Sequence, residues 1–299
     1  MKLFKERKAK NEGLLNDIDL GYMQYKILYA AMFIILFISA MVCLLPIIWA
    51  VLSSFKTSAE MYAIPPTLLP SKIDLSLIPK LLTRVRFSKY FLNTVFIIIG
   101  CLTVDVVLNG FAGYMLSTVR PRGYKVLDKL IFWTMMLPGI SMVPLYMTFV
   151  DVPFLHINLK GSFIPLWLMV GCNAFNIFLF RNFFNGIPKA YFDAARIDGC
   201  GNIQVFFRII IPLSTPILAV IAIISVRSSW SNFMWPYLLL GNTPKEPLAV
   251  LVYQLSNDTI LTANENLMLM VLVAVPMIIF YSIFSKKIMG GFNMSGVKG

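Results

Sequence analysis

The 299-residue sequence has few charged residues and few of the residue types that build catalytic or metal sites. Only 13% of its residues are charged and 58% are hydrophobic, which is more apolar surface than one soluble core of this size needs to bury. The single histidine, His156, has no cysteine or histidine at ligand spacing, so we expect a loop residue and no metal site. The four cysteines are widely spaced, which argues against a disulfide framework.

The sequence also lacks the common motifs of nucleotide binding and covalent catalysis. It contains no G-x-x-x-x-G-K-[ST] segment, the loop whose backbone cradles nucleotide phosphates. No Ser/His/Asp or Cys/His set is expected to converge either, because His156 is the single histidine and is predicted to lie on the outer side of the membrane. We therefore expect neither an enzyme nor a cofactor bound by this chain.

The sequence is rich in long apolar runs. A helix that crosses the hydrocarbon of a bilayer needs about 20 predominantly apolar residues. The first run is too long for the apolar region of a signal peptide, which has about 7–15 residues. We predict an all-α integral membrane protein with six transmembrane helices in a domain over 27–285, between an N-terminal segment 1–26 and a tail 286–299. The runs are Ile27–Leu52, Phe91–Ser117, Leu130–Val150, Phe163–Phe180, Leu213–Met234 and Asn266–Phe284.

The distribution of basic residues predicts the orientation in the membrane. The formal net charge is +12, and most of the 26 lysines and arginines lie in the two terminal segments and in the loops after the second and fourth runs. Because basic residues resist translocation, both termini are expected to be cytoplasmic. The first external loop is basic too, and its stretch 75–87 has apolar residues at helical spacing. An amphipathic helix on the membrane surface and a partner-docking element are both open interpretations there.

The predicted cytoplasmic loop 186–212 has the local signals of two short helices. Pro188 suits the first turn of a helix, and Gly199 suits a left-handed stop. After this stop, Asn202 can cap a second helix that leads into the fifth run. The sequence therefore predicts a helix, a sharp turn and a second helix.

The first of these helices carries the most specific pattern in the chain. Ala194 and Ala195 beside Phe192 would form a surface that another protein can approach closely, although an ordinary amphipathic loop helix is equally open on physical grounds. The segment resembles the E-A-A-x-x-x-G loop of ABC importer permeases, with aspartate in place of the usual glutamate. The resemblance implies a coupling helix that docks on a cytoplasmic ATPase subunit, formed by Asp193, Ala194, Ala195, Asp198 and Gly199.

Two further segments narrow the resemblance. Residues 230–236 resemble the W-N-x-F-x-x-P pattern of the MalG-type permeases of the carbohydrate uptake 1 family, with Ser231 inserted. The chain end resembles the V-K-G tail of the same permeases, which implies that it contacts the ATPase through Gly296, Val297, Lys298 and Gly299. The implied fold is that of a type I ABC importer permease, also called MetI-like, in the family of binding-protein-dependent transport system inner membrane components.

This resemblance implies a function and a set of partners. The chain would be a permease subunit that moves a sugar or oligosaccharide across the bacterial cytoplasmic membrane by alternating access. Its partners would be a second, MalF-like permease, two ATPase subunits that bind ATP and Mg²⁺, and an extracytoplasmic lipoprotein or periplasmic solute-binding protein. The alternatives are a non-sugar solute or an ion-coupled secondary transporter. Secondary transporters commonly have inverted repeats and broken helices, and the sequence indicates neither.

Ionisable groups inside the apolar runs are costly and are functional candidates. Arg227 is predicted to line a substrate path with Trp230, Asn232 and Trp235, because aromatic faces stack on sugar rings and amides bind hydroxyls. Pairing of Arg227 with the partner permease is the other open interpretation. In the second run, Asp105 and Asn109 share one helix face, where we expect an interhelical polar contact rather than a proton relay.

Overall fold

The computed structural model describes residues 23–65, 67–136, 142–258 and 260–292. Within these ranges, all regular secondary structure is helical, which agrees with the predicted all-α class. The chain divides at Ile73 into two compact units.

The first unit is dominated by α1 (Met23–Ser54). Its uncharged part after Lys26 is long and apolar enough to cross a membrane, as predicted for the first run. The chain beyond α1 is held by Lys56, whose Nζ donates a hydrogen bond of 2.6 Å to the carbonyl of Thr67. The same ammonium lies 4.2 Å from the ring centroid of Trp49, which supplies a cation–π contact.

A reciprocal cap starts the short helix α2 (Ser58–Met61). Thr57 Oγ1 accepts from the Glu60 N–H at 3.3 Å, and Glu60 Oε2 accepts from the Thr57 N–H at 3.0 Å. The other carboxylate oxygen of Glu60 accepts from the Ser71 N–H at 3.3 Å. Hydrogen bonding by Ser71, and then by Thr57, lowers the pKa of Glu60 because these donors favour the ionised carboxylate.

The second unit contains the remaining helices. With α1, the helices α4 and α14 are long and apolar enough to span a membrane, and two bent helix pairs raise the number of candidate spans among the described residues to five. The predicted third run corresponds to α5 and α6, on either side of residues 137–141, which lie outside the described ranges. The helices are α3 (Leu77–Arg84), α4 (Phe87–Val119), α5 (Tyr124–Met136), α6 (Met142–Val150), α7 (Ile164–Val170), α8 (Ala174–Asn185), α9 (Lys189–Ile197), α10 (Asn202–Leu213), α11 (Thr215–Ser231), α12 (Met234–Leu240), α13 (Leu248–Asn257) and α14 (Ala263–Phe292).

The fourth predicted span is broken. Helices α7 and α8 together cover it, but they meet at an angle of 50°. The prediction that the chain has no broken spanning helix is therefore wrong: the fourth run is free of charge, but Gly171 and Asn173, a helix breaker and a capping residue, interrupt it at the bend. Helix α4 packs so closely at the break that a Cβ added to Gly171 would lie 2.7 Å from Cδ1 of Leu108. Beyond the break, Asn173 caps α8 by accepting a hydrogen bond of 3.1 Å from the Asn176 N–H.

A second bend, of 85°, separates α10 from α11. Pro212 and Pro216 flank Ser214, the residue at which the direction changes, and neither proline has an N–H to continue the ladder of backbone hydrogen bonds. The buried Ser214 hydroxyl donates to the carbonyl of Ile210 at 2.5 Å. Helix α10 therefore belongs to the loop, and α11 begins the fifth span.

The predicted amphipathic helix in the first loop is present as α3. Leu81 is its buried residue. Arg84 ties the end of α3 to the start of α14, because its guanidinium donates to Glu265 Oε1 at 3.0 Å and to the Ile260 carbonyl at 2.8 Å.

Two buried clusters hold the second unit together. The first, here called the aromatic cluster, joins α4, α8, α9, α10 and α11 through Tyr114, Phe180, Phe184, Phe192, Ala195, Val205, Phe206, Ile210, Ile217 and Ile221. The second joins α4, α6, α7 and α12 through Ile97, Cys101, Phe149, Leu166, Leu239 and Leu240. Sequence analysis predicted no helix over 234–257, where α12 and α13 form.

Candidate functional site

The predicted coupling segment forms the short helix α9, with the start and end expected from its sequence. Pro188 immediately precedes its first residue. At its end, the Asp198 N–H donates to the Ala194 carbonyl at 3.0 Å, and the Cys200 N–H donates to the Ala195 carbonyl at 2.9 Å. Gly199 between them has φ +73°, a left-handed conformation that glycine adopts without a steric penalty. The predicted glycine stop is confirmed.

One face of α9 packs into the aromatic cluster. Phe192 is 6% exposed and Ala195 is 3% exposed. The Phe192 ring stacks on Tyr114 of α4 with 6.4 Å between centroids, and Tyr114 in turn lies 5.8 Å from Phe206 of α10. Of the expected surface of Ala194 and Ala195 beside Phe192, the structure leaves Ala194 exposed, while this chain itself covers Phe192 and Ala195. They anchor the helix.

The exposed residues of α9 include the other predicted residues of this helix. We use the name exposed ridge of α9 for Tyr191, Asp193, Ala194, Ile197 and Asp198. Ile197 is 86% exposed. Sequence analysis missed Ile197. It follows buried Ala195 by two residues, and this spacing places it on the opposite side of a helix, which indicates exposure.

A cleft lies between α9 and the end of α4. Its volume is about 280 Å³ and its charged lining residues are Arg120, Lys189, Asp193 and Arg196. Arg120 is held at its rim by donating from Nε to the Ser117 carbonyl at 2.7 Å. Asp193 thus faces three basic side chains, and it forms no ion pair within 4.0 Å in the described part of the chain.

The second loop helix, α10, starts differently from the prediction. Its N-cap is Gly201, and Asn202 is already the first helical residue. The Gly201 N–H donates to Gln204 Oε1 at 3.1 Å, so the glutamine closes the helix start. The predicted cap by Asn202 is wrong by one residue, because Gln204 stands at the third helical position and closes back on the N–H of Gly201, which makes Gly201 the N-cap.

The predicted path residues lie at the end of α11 and the start of α12. Arg227 is exposed, and no carboxylate lies within 4.0 Å of its guanidinium in the ranges that the structure covers. Trp230 packs edge-on against Phe91 with 6.4 Å between centroids. The structure brings Asn232 and Trp235 together, since Asn232 Oδ1 accepts from the Trp235 N–H at 3.4 Å. Neither Arg227 nor Trp230 joins that pair.

A smaller cavity of about 180 Å³ lies beside Asn232. Two serines that precede Asn232 on α11 give it a polar edge, and residues of α4 and α7 form an apolar wall. Sequence analysis did not single out these serines. The lining residues are Ile97, Cys101, Leu166, Met169, Val170, Ser228, Ser229, Asn232 and Pro236.

The remaining predicted residues fall into three groups. Asp105 and Asn109 are buried and form the expected interhelical contact, with α8. His156 lies in an exposed loop, with its Nδ1 3.2 Å from Asp151 Oδ1. The predicted ATPase-contacting tail Gly296–Gly299 lies outside the described residues.

Several apolar helices of membrane-spanning length are typical of a multi-pass membrane protein. The chain belongs to the family of binding-protein-dependent transport system inner membrane components, which matches residues 106–290. It is a transport subunit of the ABC importer class. The predicted resemblance and fold class are confirmed.

Characterised relatives match nearly the whole chain. The polygalacturonan/rhamnogalacturonan transport system permease protein YtcP of Bacillus subtilis is 28% identical over 275 residues, covering 87% of this chain and 94% of that protein. The arabinooligosaccharides transport system permease protein AraQ of Halalkalibacterium halodurans is 29% identical over 269 residues, covering 87% and 93%. A crystal structure of a bacterial ABC transporter involved in the import of the acidic polysaccharide alginate contains a similar chain. That chain has a TM-score of 0.78 and 27% identity, and the match covers 89% of this chain and 98% of that one.

Proposed function

We propose that this chain is one of two permease subunits of an ATP-driven importer for a sugar or oligosaccharide. The similar proteins with pectin-derived, arabinose-derived and alginate substrates in their names support a carbohydrate cargo. The single observation that carries the proposal is α9, a capped helix with one face anchored in the core and the other unoccupied by its own chain.

The exposed ridge of α9 is the proposed docking surface for a partner ATPase. Ile197 supplies an apolar contact and Asp193 a charge, and the small Ala194 between them permits close approach. ATP and Mg²⁺ would be bound by that ATPase, because this sequence has no phosphate-binding loop. Movement of the ATPase would then displace α9 together with the cluster that holds it.

The proposed docking of α9 on the ATPase fixes the orientation of the chain in the membrane. Both termini and the α9–α10 loop lie on the cytoplasmic side, consistent with the basic residues of these segments. The tail Gly296–Gly299 provides a second contact with the ATPase dimer. A MalF-like permease completes the membrane pathway, and an extracytoplasmic solute-binding protein delivers the cargo from the other side.

The substrate path is proposed to run along the outer end of α11. Arg227 is exposed there, Ser228 and Asn232 offer hydrogen-bonding groups, and Trp230 and Trp235 offer aromatic surface. Arg227→Ala should lower both uptake and substrate-stimulated ATP hydrolysis, whereas Arg122→Ala, a matched loss of an exposed arginine in a loop, should lower neither. Normal values of both activities in Arg227→Ala would remove it from the path.

The coupling role is tested by charge reversal on the exposed ridge. Proteoliposomes containing the complete importer are given ATP inside, and uptake of arabinotriose and of trigalacturonate is measured. Asp193→Lys should abolish ATP-dependent uptake because it reverses the charge that the exposed ridge offers to the partner ATPase. Asp151→Lys, the same reversal at an exposed loop position, is the control.

The ion-coupled alternative is separated in the same vesicles. An ionophore that dissipates the ion gradients while ATP is maintained should leave uptake intact. Undiminished uptake by Asp193→Lys, or loss of uptake with the ionophore alone, would refute the proposal.

A further inference from the structure

The break in the fourth span exposes two backbone groups that a continuous helix would pair internally. They are the carbonyl of Val170, the last residue of α7, and the N–H of Asn173, just before α8. In an apolar interior, backbone groups of this kind must find other partners. Between them, Gly171 is packed against Val104 and Leu108 of α4, which leaves no room for a side chain.

One side chain of α4 satisfies both groups. Asn109 Nδ2 donates to the Val170 carbonyl at 2.7 Å, and Asn109 Oδ1 accepts from the Asn173 N–H at 3.0 Å. Asn109 has no exposed surface, so these bonds do not compete with solvent. The amide therefore replaces, from a neighbouring helix, hydrogen bonds that the broken span cannot make for itself.

A carboxylate fixes the orientation of this amide. Asp105 Oδ1 accepts from Asn109 Nδ2 at 2.6 Å, and both oxygens of Asp105 accept from Asn176 Nδ2, at 3.0 and 2.8 Å. Because Asp105 Oδ1 accepts from the NH₂ group of Asn109, that group faces Asp105 and Oδ1 of Asn109 is left for the Asn173 N–H. A π-helical turn of α4, Asp105–Asn109, places the two residues together, as such turns often do at functional sites.

The break also separates two regions of the proposed transport machinery. On the α7 side, Leu166, Met169 and Val170 line the cavity beside Asn232. On the α8 side, Phe180 and Phe184 belong to the aromatic cluster, which also contains Phe192 and Ala195 of α9. Any displacement of α9 that reaches the cavity wall through the fourth span must pass through the braced break.

We propose that Asn109, oriented by Asp105, is the positioning residue that makes α7 and α8 move as one rigid body, so that displacement of α9 by the ATPase moves the cavity wall. The inference rests on the proposed function as an ATP-driven permease. Without the brace, α8 follows α9 while α7 relaxes at the break. ATP hydrolysis then continues, but uptake no longer accompanies it.

The experiment measures uptake and ATP hydrolysis in the same proteoliposomes, with the complete importer and either arabinotriose or trigalacturonate. In Asn109→Ala, hydrolysis should remain close to wild type, while the number of sugars imported per ATP should fall about 5-fold or more, the usual lower range of a coupling effect. A protein in which Asn109 is only a stabilising residue would lose both activities together and keep their ratio.

Asn93→Ala is the matched control. Asn93 lies on the same helix and also donates from Nδ2 to two backbone carbonyls, those of Pro244 at 3.0 Å and Glu246 at 2.9 Å, but it does not touch the break. Its ratio of sugar to ATP should equal that of wild type. Equal ratios in Asn93→Ala and Asn109→Ala would overturn the inference.

Asp105→Leu tests the same idea if Asn109→Ala does not assemble. It is close to aspartate in size and leaves Asn109 in place, but it removes both acceptor oxygens that orient the amide. The ratio should again fall, and an unchanged ratio would overturn the proposed role. Absence of ATP-dependent uptake in the wild-type importer with both sugars would instead refute the proposed function, so the two failures are distinguishable.

Discussion

Replacing Phe192 by alanine should detach α9 from the aromatic cluster without unfolding the rest of the chain. Phe192 is 6% exposed, and its ring stacks on Tyr114. Truncating a buried phenylalanine to alanine costs about 3–5 kcal/mol, and a well-placed aromatic pair is worth about 0.5–1.5 kcal/mol beyond its buried area. The expected loss is therefore at least about 3 kcal/mol of docking free energy.

The loss should be local because Phe192 is the principal anchor of α9. The helix has only nine residues, too few to be stable alone, and its other buried side chain, Ala195, is small. The remaining members of the aromatic cluster pack with one another through α4, α8 and α10. They can hold their positions when α9 leaves.

Hydrogen exchange measured by mass spectrometry, with the permease in nanodiscs, reports this detachment directly. A loss of about 3 kcal/mol should reduce amide protection over 189–200 by about 100-fold. Tyr191→Ala, an aromatic truncation on the exposed ridge of the same helix, should leave that protection unchanged. Unchanged exchange in Phe192→Ala would show that α9 is held by something other than the aromatic cluster.

Three further predictions concern other contacts. Gly199→Ala should raise exchange over 196–201, because a left-handed conformation costs a residue with a Cβ about 1–2 kcal/mol; equal exchange would contradict the strain. The folded-state pKa of Glu60 is lowered, so its hydrogen bonds stabilise the loop fully at pH values above the ordinary glutamate pKa, and this stabilisation is lost as the pH falls through the lowered pKa. The protection of the Ser71 amide against hydrogen exchange should therefore drop on acidification. Arg181→Gln should lower the thermal midpoint by about 2 °C because it removes the partly buried ion pair with Asp128 between α5 and α8. Asp128→Asn should lower the midpoint by the same amount, and a larger decrease in the double variant would exclude the ion pair as the cause.

Local features of α9 were readable from the sequence, and its contacts were less so. A proline before the helix and a glycine after it act within a few residues, so the start and stop were predicted correctly. The burial of Phe192 and Ala195 was not, because these residue types suit a partner-facing surface as well as a core, and only their packing in the aromatic cluster decides between the two. The helix period would have indicated that Ile197 is exposed.

The bend in the fourth span could not be predicted from its apolar length. That length was sufficient to predict a crossing helix, but α7 and α8 diverge by 50° across residues 171–173, whereas the proline of the run, Pro165, lies at the start of α7. At the break, Gly171 packs against Leu108, and Asn109 receives the freed backbone groups. Both partners lie on α4, outside the run, so the run alone does not identify them.

The sequence by itself determined the membrane class, the approximate position of most spans and the existence of a capped helix in the loop after the fourth span. These follow from hydropathy and from proline and glycine stereochemistry, which act over one helix or less. Only the tertiary structure decided which face of α9 is free and how the fourth span is braced. Asn109 and Val170 are 61 positions apart, and Asp105 and Asn176 are 71 apart. Which residues become partners depends on how whole helices pack, and the sequence of one helix does not identify the residue that it contacts on another.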